Sequence, residues 1–224
     1  MQLTNFETQS TLTMNKQEEQ LNALNDIRKI MDRSSRFISL SGLSGVFAGV
    51  TALAGAYMAY RELQHYAAGN YGYGTDSDID IEYNLLRIAV LVLFTAIVGG
   101  LMLSFRQSRK KGLPFWDKTA KNLLLNLAIP LAAGGIFILA MLIAHPNTFG
   151  LVAPSCLIFY GLALINASKY TYSDIRFLGF CEIMLGLISM FYIGYGLYFW
   201  AVGFGVLHIL YGGIMYFKYD RSNA

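Results

Sequence analysis

Charge is the first thing this sequence lacks. Only 14% of its 224 residues are Asp, Glu, Lys or Arg, while 55% are hydrophobic. A soluble domain carries about 25% charged residues. The deficit is too large for an unusual core and points to a chain that lives in lipid. Cysteine is also scarce. Cys156 and Cys181 are the only two, and no CxxC or Cys/His cluster occurs. That pattern offers neither a zinc site nor a disulfide framework, and free thiols in apolar stretches are commonly inert. Histidine is limited to His65, His145 and His208, which are scattered, and no HExxH motif is present. The polar start, residues 1–14, holds no apolar run followed by a cleavage site, so no cleaved signal peptide is expected. The apolar runs are continuous, unlike the alternating strands of an outer-membrane barrel.

What the sequence does have is length of apolar run. A helix needs about 20 mostly apolar residues to cross the hydrocarbon. Residues 37–60, 84–105, 122–144 and 148–168 each meet that length, and His145-Pro146-Asn147 separates the last two. The final stretch, 177–217, has 41 residues, too long for one crossing. It divides into spans 177–192 and 198–217. Gly194 and Gly196 permit a reversal between them, and Tyr192, Tyr195, Tyr198 and Trp200 suit an interfacial belt. The expected fold is all-α: a polytopic membrane bundle of six transmembrane helices, preceded by a cytoplasmic amphipathic helix.

The orientation follows from the basic residues. The tail before residue 37, the loop 106–121, the loop 169–176 and the end from Lys218 hold 15 of the 17 Lys and Arg. Arg61 and Arg87 are the other two. The positive-inside rule places the first group, and with it both termini, in the cytoplasm.

Outside the spans, residues 15–36 read as an amphipathic helix. Leu21, Leu24, Ile27, Ile30 and Met31 recur at spacings of three and four. Such a helix can lie on the bilayer, form a homodimer seam or dock a cytoplasmic protein; about three turns are too few to specify a coiled coil. The outer loop, 61–83, carries Asp76, Asp78, Asp80 and Glu82. Alternating carboxylates can gather around a hard cation, but the glycine of a calcium loop is missing, and an acidic outer turn needs no metal. The inner loop, with Arg109-Lys110-Lys111, suits anionic head groups as well as topology.

Ionisable groups inside a span are costly and mark functional sites by default. Glu182 falls in the fifth expected span, on the face of Gly179, Gly186 and Ser189. His208 falls in the sixth, with Gly205 and Gly212. Small neighbours turn both toward the bundle. Asn126, near Pro130 in the third span, and Asn166, at the end of the fourth, share the cytoplasmic half with Glu182. The four form a candidate ligand or proton site, lining a cavity open to the cytoplasm. The competing reading is structural: asparagines bond between helices, and a lone histidine is satisfied by a hydroxyl, of which fifteen tyrosines offer a supply. In the first span Ser41, Gly45 and Gly49 lie on one stripe with Ala52 and Ala56, and Gly45–Gly49 is a GxxxG pair. That stripe predicts close helix packing. No phosphate-loop pattern occurs.

The segment 36–60, with Ser39-Leu40-Ser41-Gly42-Leu43-Ser44-Gly45 and the preceding Ile27-Arg28 and Met31, resembles uncharacterised six-span proteins of Bacteroidota. The likeness covers the tail helix and the first span. It implies a bacterial inner-membrane location and supplies no activity, catalytic residue or binding residue.

Nothing in the pattern calls for a cofactor, a metal or nucleic acid. Scattered histidines and serines without a base point away from an intramembrane enzyme. Two non-enzymatic expectations lead, with an intramembrane enzyme as the further alternative. One is a protein that binds or moves a small molecule, or senses the membrane. The other is a structural or assembly subunit of a membrane complex.

Overall fold

A computed structural model describes residues 20–22, 24, 41–68, 75–112 and 116–221. The described residues contain helices and turns and no strand. Six helices make up the body: α1 (Gly42–Ala67), α2 (Thr75–Lys110), α3 (Lys118–Ala144), α4 (Val152–Ala167), α5 (Asp174–Ser189) and α6 (Gly196–Asp220). Five stretches are long and apolar enough to cross a membrane: Gly42–Ala67, Ile81–Lys110, Lys118–Ala144, Asn147–Tyr170 and Gly196–Asp220. The chain is thus a multi-pass helical membrane protein. The exception is α5, which has 16 residues. At 1.5 Å per residue that is about 24 Å, short of the roughly 30 Å hydrocarbon layer.

Local chemistry sets the helix ends. The side chain of Asp117 accepts from the N–H of Ala120, 2.6 Å away, and so starts α3. The helix runs through Pro130 and stops at Ala144, where Pro146 begins a tight 3₁₀ turn, Pro146–Leu151, leading into α4. Between α5 and α6 the chain reverses within six residues, 190–195. Gly194 there takes φ +103°, a left-handed conformation that side-chain-bearing residues avoid. The expected reversal thus lies at the start of the expected region, and α6 resumes at Gly196.

The loop between α1 and α2 is shorter than the hydropathy suggests. Helix α1 continues to Ala67 and α2 begins at Thr75, so Asp76, Asp78, Asp80 and Glu82 stand on helical backbone. A helix turns 100° per residue and carries positions two apart to nearly opposite sides, unlike a calcium loop. Of the amphipathic helix expected over 15–36, only Gln20, Leu21, Asn22 and Leu24 are described. They are helical, with Leu21 and Leu24 exposed. The rest of it lies outside the described residues.

Glycine controls how the helices meet. A Cβ on Gly49 would lie 2.6 Å from the carbonyl oxygen of Gly205, and one on Gly45 would lie 3.1 Å from the Cα of Gly212. Helix α1 therefore touches α6 backbone to backbone, along the stripe that holds Gly45 and Gly49. Helices α4 and α5 meet reciprocally: Gly161 abuts the carbonyl of Gly179, and Gly179 abuts that of Gly161. Around these two seams the remaining helices are peripheral. Helix α2 packs on α1, and α3 on α4. Both expose large apolar side chains along their length, such as Phe94 and Met102 on α2 and Ile136 and Ile143 on α3. That surface suits contact with acyl chains.

One end of the bundle is joined by Asp220. Its carboxylate accepts from the Gly42 N–H at 2.9 Å, from Gln107 Nε2 at 2.8 Å and from Lys111 Nζ at 3.3 Å. The hydroxyl of Ser41 lies 3.4 Å away. One carboxylate thus caps α1 and ties it to α2 and α6.

Candidate functional site in the bundle interior

Helix α5 buries Ile175, Leu178, Gly179, Glu182, Gly186 and Ser189. These positions recur every three or four residues and form one face against α4 and α6. Glu182 lies at the middle of that face and is 0% exposed. Glycine on α6 creates the room. A Cβ on Gly203 of α6 would come within 2.5 Å of Glu182 Oε2, so a larger residue there would push the carboxyl group aside. The backbone around Gly203 is itself irregular: Ala201–Leu207 forms wide π-type turns. Such turns are uncommon and occur often at functional sites.

His208 begins the regular helix after that segment and is 7% exposed. Its Nδ1 lies 3.0 Å from the Gly203 carbonyl oxygen, and its Nε2 lies 2.7 Å from the Tyr160 hydroxyl. A carbonyl only accepts, so Nδ1 carries the hydrogen. In the neutral ring Nε2 then accepts from the tyrosine O–H; this proton placement follows from the partners. Tyr160 is supplied by α4, where its ring packs on Phe204 at 5.0 Å between centroids.

Glu182 Oε1 is 3.5 Å from His208 Nδ1. That separation exceeds an ordinary hydrogen bond. Among the described residues neither carboxyl oxygen has a hydrogen-bond partner, and the Ser189 hydroxyl, also 0% exposed, has none either. Buried polar atoms are nearly always paired, so an orphaned buried carboxyl group needs a reason. A carboxyl at this depth is supported by a proton, a counter-charge or a bound group.

The structure divides the four candidate residues into two pairs. Glu182 and His208 meet in the interior. Asn126 and Asn166 meet between α3 and α4, where the Asn166 amide donates to the Asn126 carbonyl at 3.0 Å. The Asn126 amide donates to the Asn122 carbonyl at 2.8 Å, and Lys169 donates to Asn166 Oδ1 at 3.1 Å. None of these bonds reaches Glu182 or His208. The Asn166 amide ties α4 to α3, whereas the Asn126 amide bonds within its own helix. Glu82 is exposed. Among the described residues no group of three His, Cys, Asp or Glu side chains is arranged to hold a metal.

Sequence reasoning missed Tyr160 and Asp220. Tyr160 is one of fifteen tyrosines, and its position relative to α6 depends on the Gly161–Gly179 seam. Asp220 is an acid in a basic tail; no local pattern connects it to Gly42. The chain matches no protein-family model, no curated protein and no solved structure.

Proposed function

We propose that this protein is a six-span protein of a bacterial inner membrane, with both termini in the cytoplasm. In this reading it binds or moves a small molecule, or senses the membrane, through a site built on Glu182 and His208. The observation that carries it is the Glu182 carboxyl group: fully buried, with both oxygens unpartnered, beside an irregular stretch of α6. A purely structural carboxyl would be expected to have its hydrogen bonds made.

The basic residues support the orientation, with 15 of 17 falling in alternate segments. Helix α5 is the fifth of the six crossings in this reading. Its cytoplasmic end is at Asp174, and the turn with Tyr192 and Tyr195 completes the passage at the outer interface.

The test is a thermal-shift screen of the purified full chain in lipid nanodiscs against a library rich in organic cations. Compounds that stabilise the wild type should fail to stabilise Glu182→Gln, with both proteins folded before addition. Loss of folded protein on that substitution alone would favour a structural role.

A further inference from the structure

The arrangement of Tyr160, His208 and Glu182 has a direction. The tyrosine hydroxyl is 2.7 Å from Nε2, and the other ring nitrogen, Nδ1, is 3.0 Å from the Gly203 carbonyl and 3.5 Å from Glu182 Oε1. The imidazole therefore stands between a hydroxyl that is bonded to it and a carboxyl group that is not. Its Nδ1–H has two acceptors to choose from. We propose that Glu182 is a proton-binding site, loaded with one proton per chain through His208 from Tyr160. This rests on reading the Glu182–His208 pair as the functional site, and it names the proton as its ligand.

The transfer conserves protons at each group. Nδ1–H breaks and its proton forms an O–H bond on Glu182 Oε1. The Tyr160 O–H breaks and its proton forms a bond with Nε2. The tyrosine oxygen regains a proton from a hydronium ion, which is left as water. The result is one proton gained by the carboxylate and none lost by the histidine or tyrosine. The ring changes tautomer, so Nε2–H then donates to the tyrosine oxygen and Nδ1 accepts from the carboxylic acid. The gap from Nδ1 to Oε1 has to close by a few tenths of an ångström. The contact lies beside the wide turns of Ala201–Leu207, where α6 departs from regular helix.

Helix α5 packs against α4 and α6. From α4 the carboxyl region is faced by Tyr160, and from α6 by His208. The other titratable side chains on the inner parts of these helices are Cys156, Cys181 and Tyr211, of which Cys181 and Tyr211 lie 4.0 Å apart. Lys169, Asp174, Arg176 and Lys218 stand at the cytoplasmic ends. Among the described residues, His208 is the one basic group within ion-pair distance of Glu182.

Gly203 closes on Oε2 from one side, and Leu157, itself 0% exposed, closes on the same glycine. A proton needs no further room.

The experiment is infrared difference spectroscopy of the full chain in nanodiscs, recorded across a pH series and after a rapid pH jump. The wild type should show a carboxylic-acid carbonyl band that changes with pH and is absent in Glu182→Gln. In Tyr160→Phe, which removes only a hydroxyl, the band should persist while its rate of appearance falls by about tenfold or more. His208→Gln should slow it at least as much. A band unchanged in Glu182→Gln, or no band that responds to pH, would overturn the proposal. So would unchanged rates in Tyr160→Phe. Compound binding that depends on Glu182 without a titrating band would defeat the proton site and leave the ligand site standing. A titrating band with no compound bound would do the reverse.

Discussion

At the scale of single residues, one carboxylate at each of three places has a distinct task. Glu182 is orphaned, whereas Asp220 is fully engaged. Removing Asp220 takes an acceptor from the α1 N-terminus, from Gln107 and from Lys111. Asp220→Ala should therefore lower stability by about 1–3 kcal/mol, the usual cost of stranding buried donors. Thermal unfolding of the purified protein in detergent measures it, and unchanged stability would count against the latch. Asp174 is the third case. Burial pushes its carboxyl up, but bonds from Tyr219 at 2.7 Å and Lys218 at 2.9 Å outweigh that and hold it below the usual aspartate range. A depressed carboxyl contributes stability above its unfolded value and loses it as pH falls through its folded value. The wild type should thus lose stability on acidification below about pH 4, and Asp174→Asn should flatten that part of the curve. Of these residues the sequence singled out Glu182 alone. An acid inside an apolar run is conspicuous, but an acid at a basic tail is not.

At the scale of helices, glycine positions decide which faces touch. Gly49 abuts the Gly205 carbonyl and the Ile209 backbone nitrogen, neither of which can move without shifting α6. Gly49→Ala should cost about 1–3 kcal/mol through overpacking. Gly100, on α2, has open space where a Cβ would go, so Gly100→Ala should be neutral or slightly stabilising. Comparing the two unfolding temperatures checks the seam directly, and equal effects would refute it. The stripe of Ser41, Gly45 and Gly49 was legible because small residues at helical spacing have few other uses in lipid. Its partner on α6 was not, since Gly205 and Gly212 are two of 22 glycines. The length of α2 also escaped the hydropathy reading. Its first turns are acidic, so an apolar window begins only after them although the helix starts at Thr75.

At the scale of the whole molecule, two glycine seams hold α1 with α6 and α4 with α5, while α2 and α3 stand on the outside with their apolar surfaces exposed. The proposed topology places residues 5 and 223 on one side of the membrane and residue 70 on the other. In a background with Cys156 and Cys181 replaced by alanine, Asn70→Cys should react with an impermeant maleimide in intact cells. Asn5→Cys and Asn223→Cys should react only after permeabilisation. Labelling of one end alone in intact cells would break the six-span reading, because only an odd number of crossings puts the termini on opposite sides; labelling of both would reverse the orientation.

Membrane residence was written in composition alone, since the hydrocarbon layer imposes its length and polarity on each span separately. The small-residue stripe and the costly interior acid were likewise visible one helix at a time. The pairing of α1 with α6, the reach of Asp220 to Gly42 and the meeting of Tyr160, His208 and Glu182 came only from the tertiary structure. Each joins residues distant in the chain, and their meeting depends on how bare glycine backbones fit together in three dimensions. A periodicity shows which face of a helix turns inward; the face that receives it is set by the packing of the whole bundle.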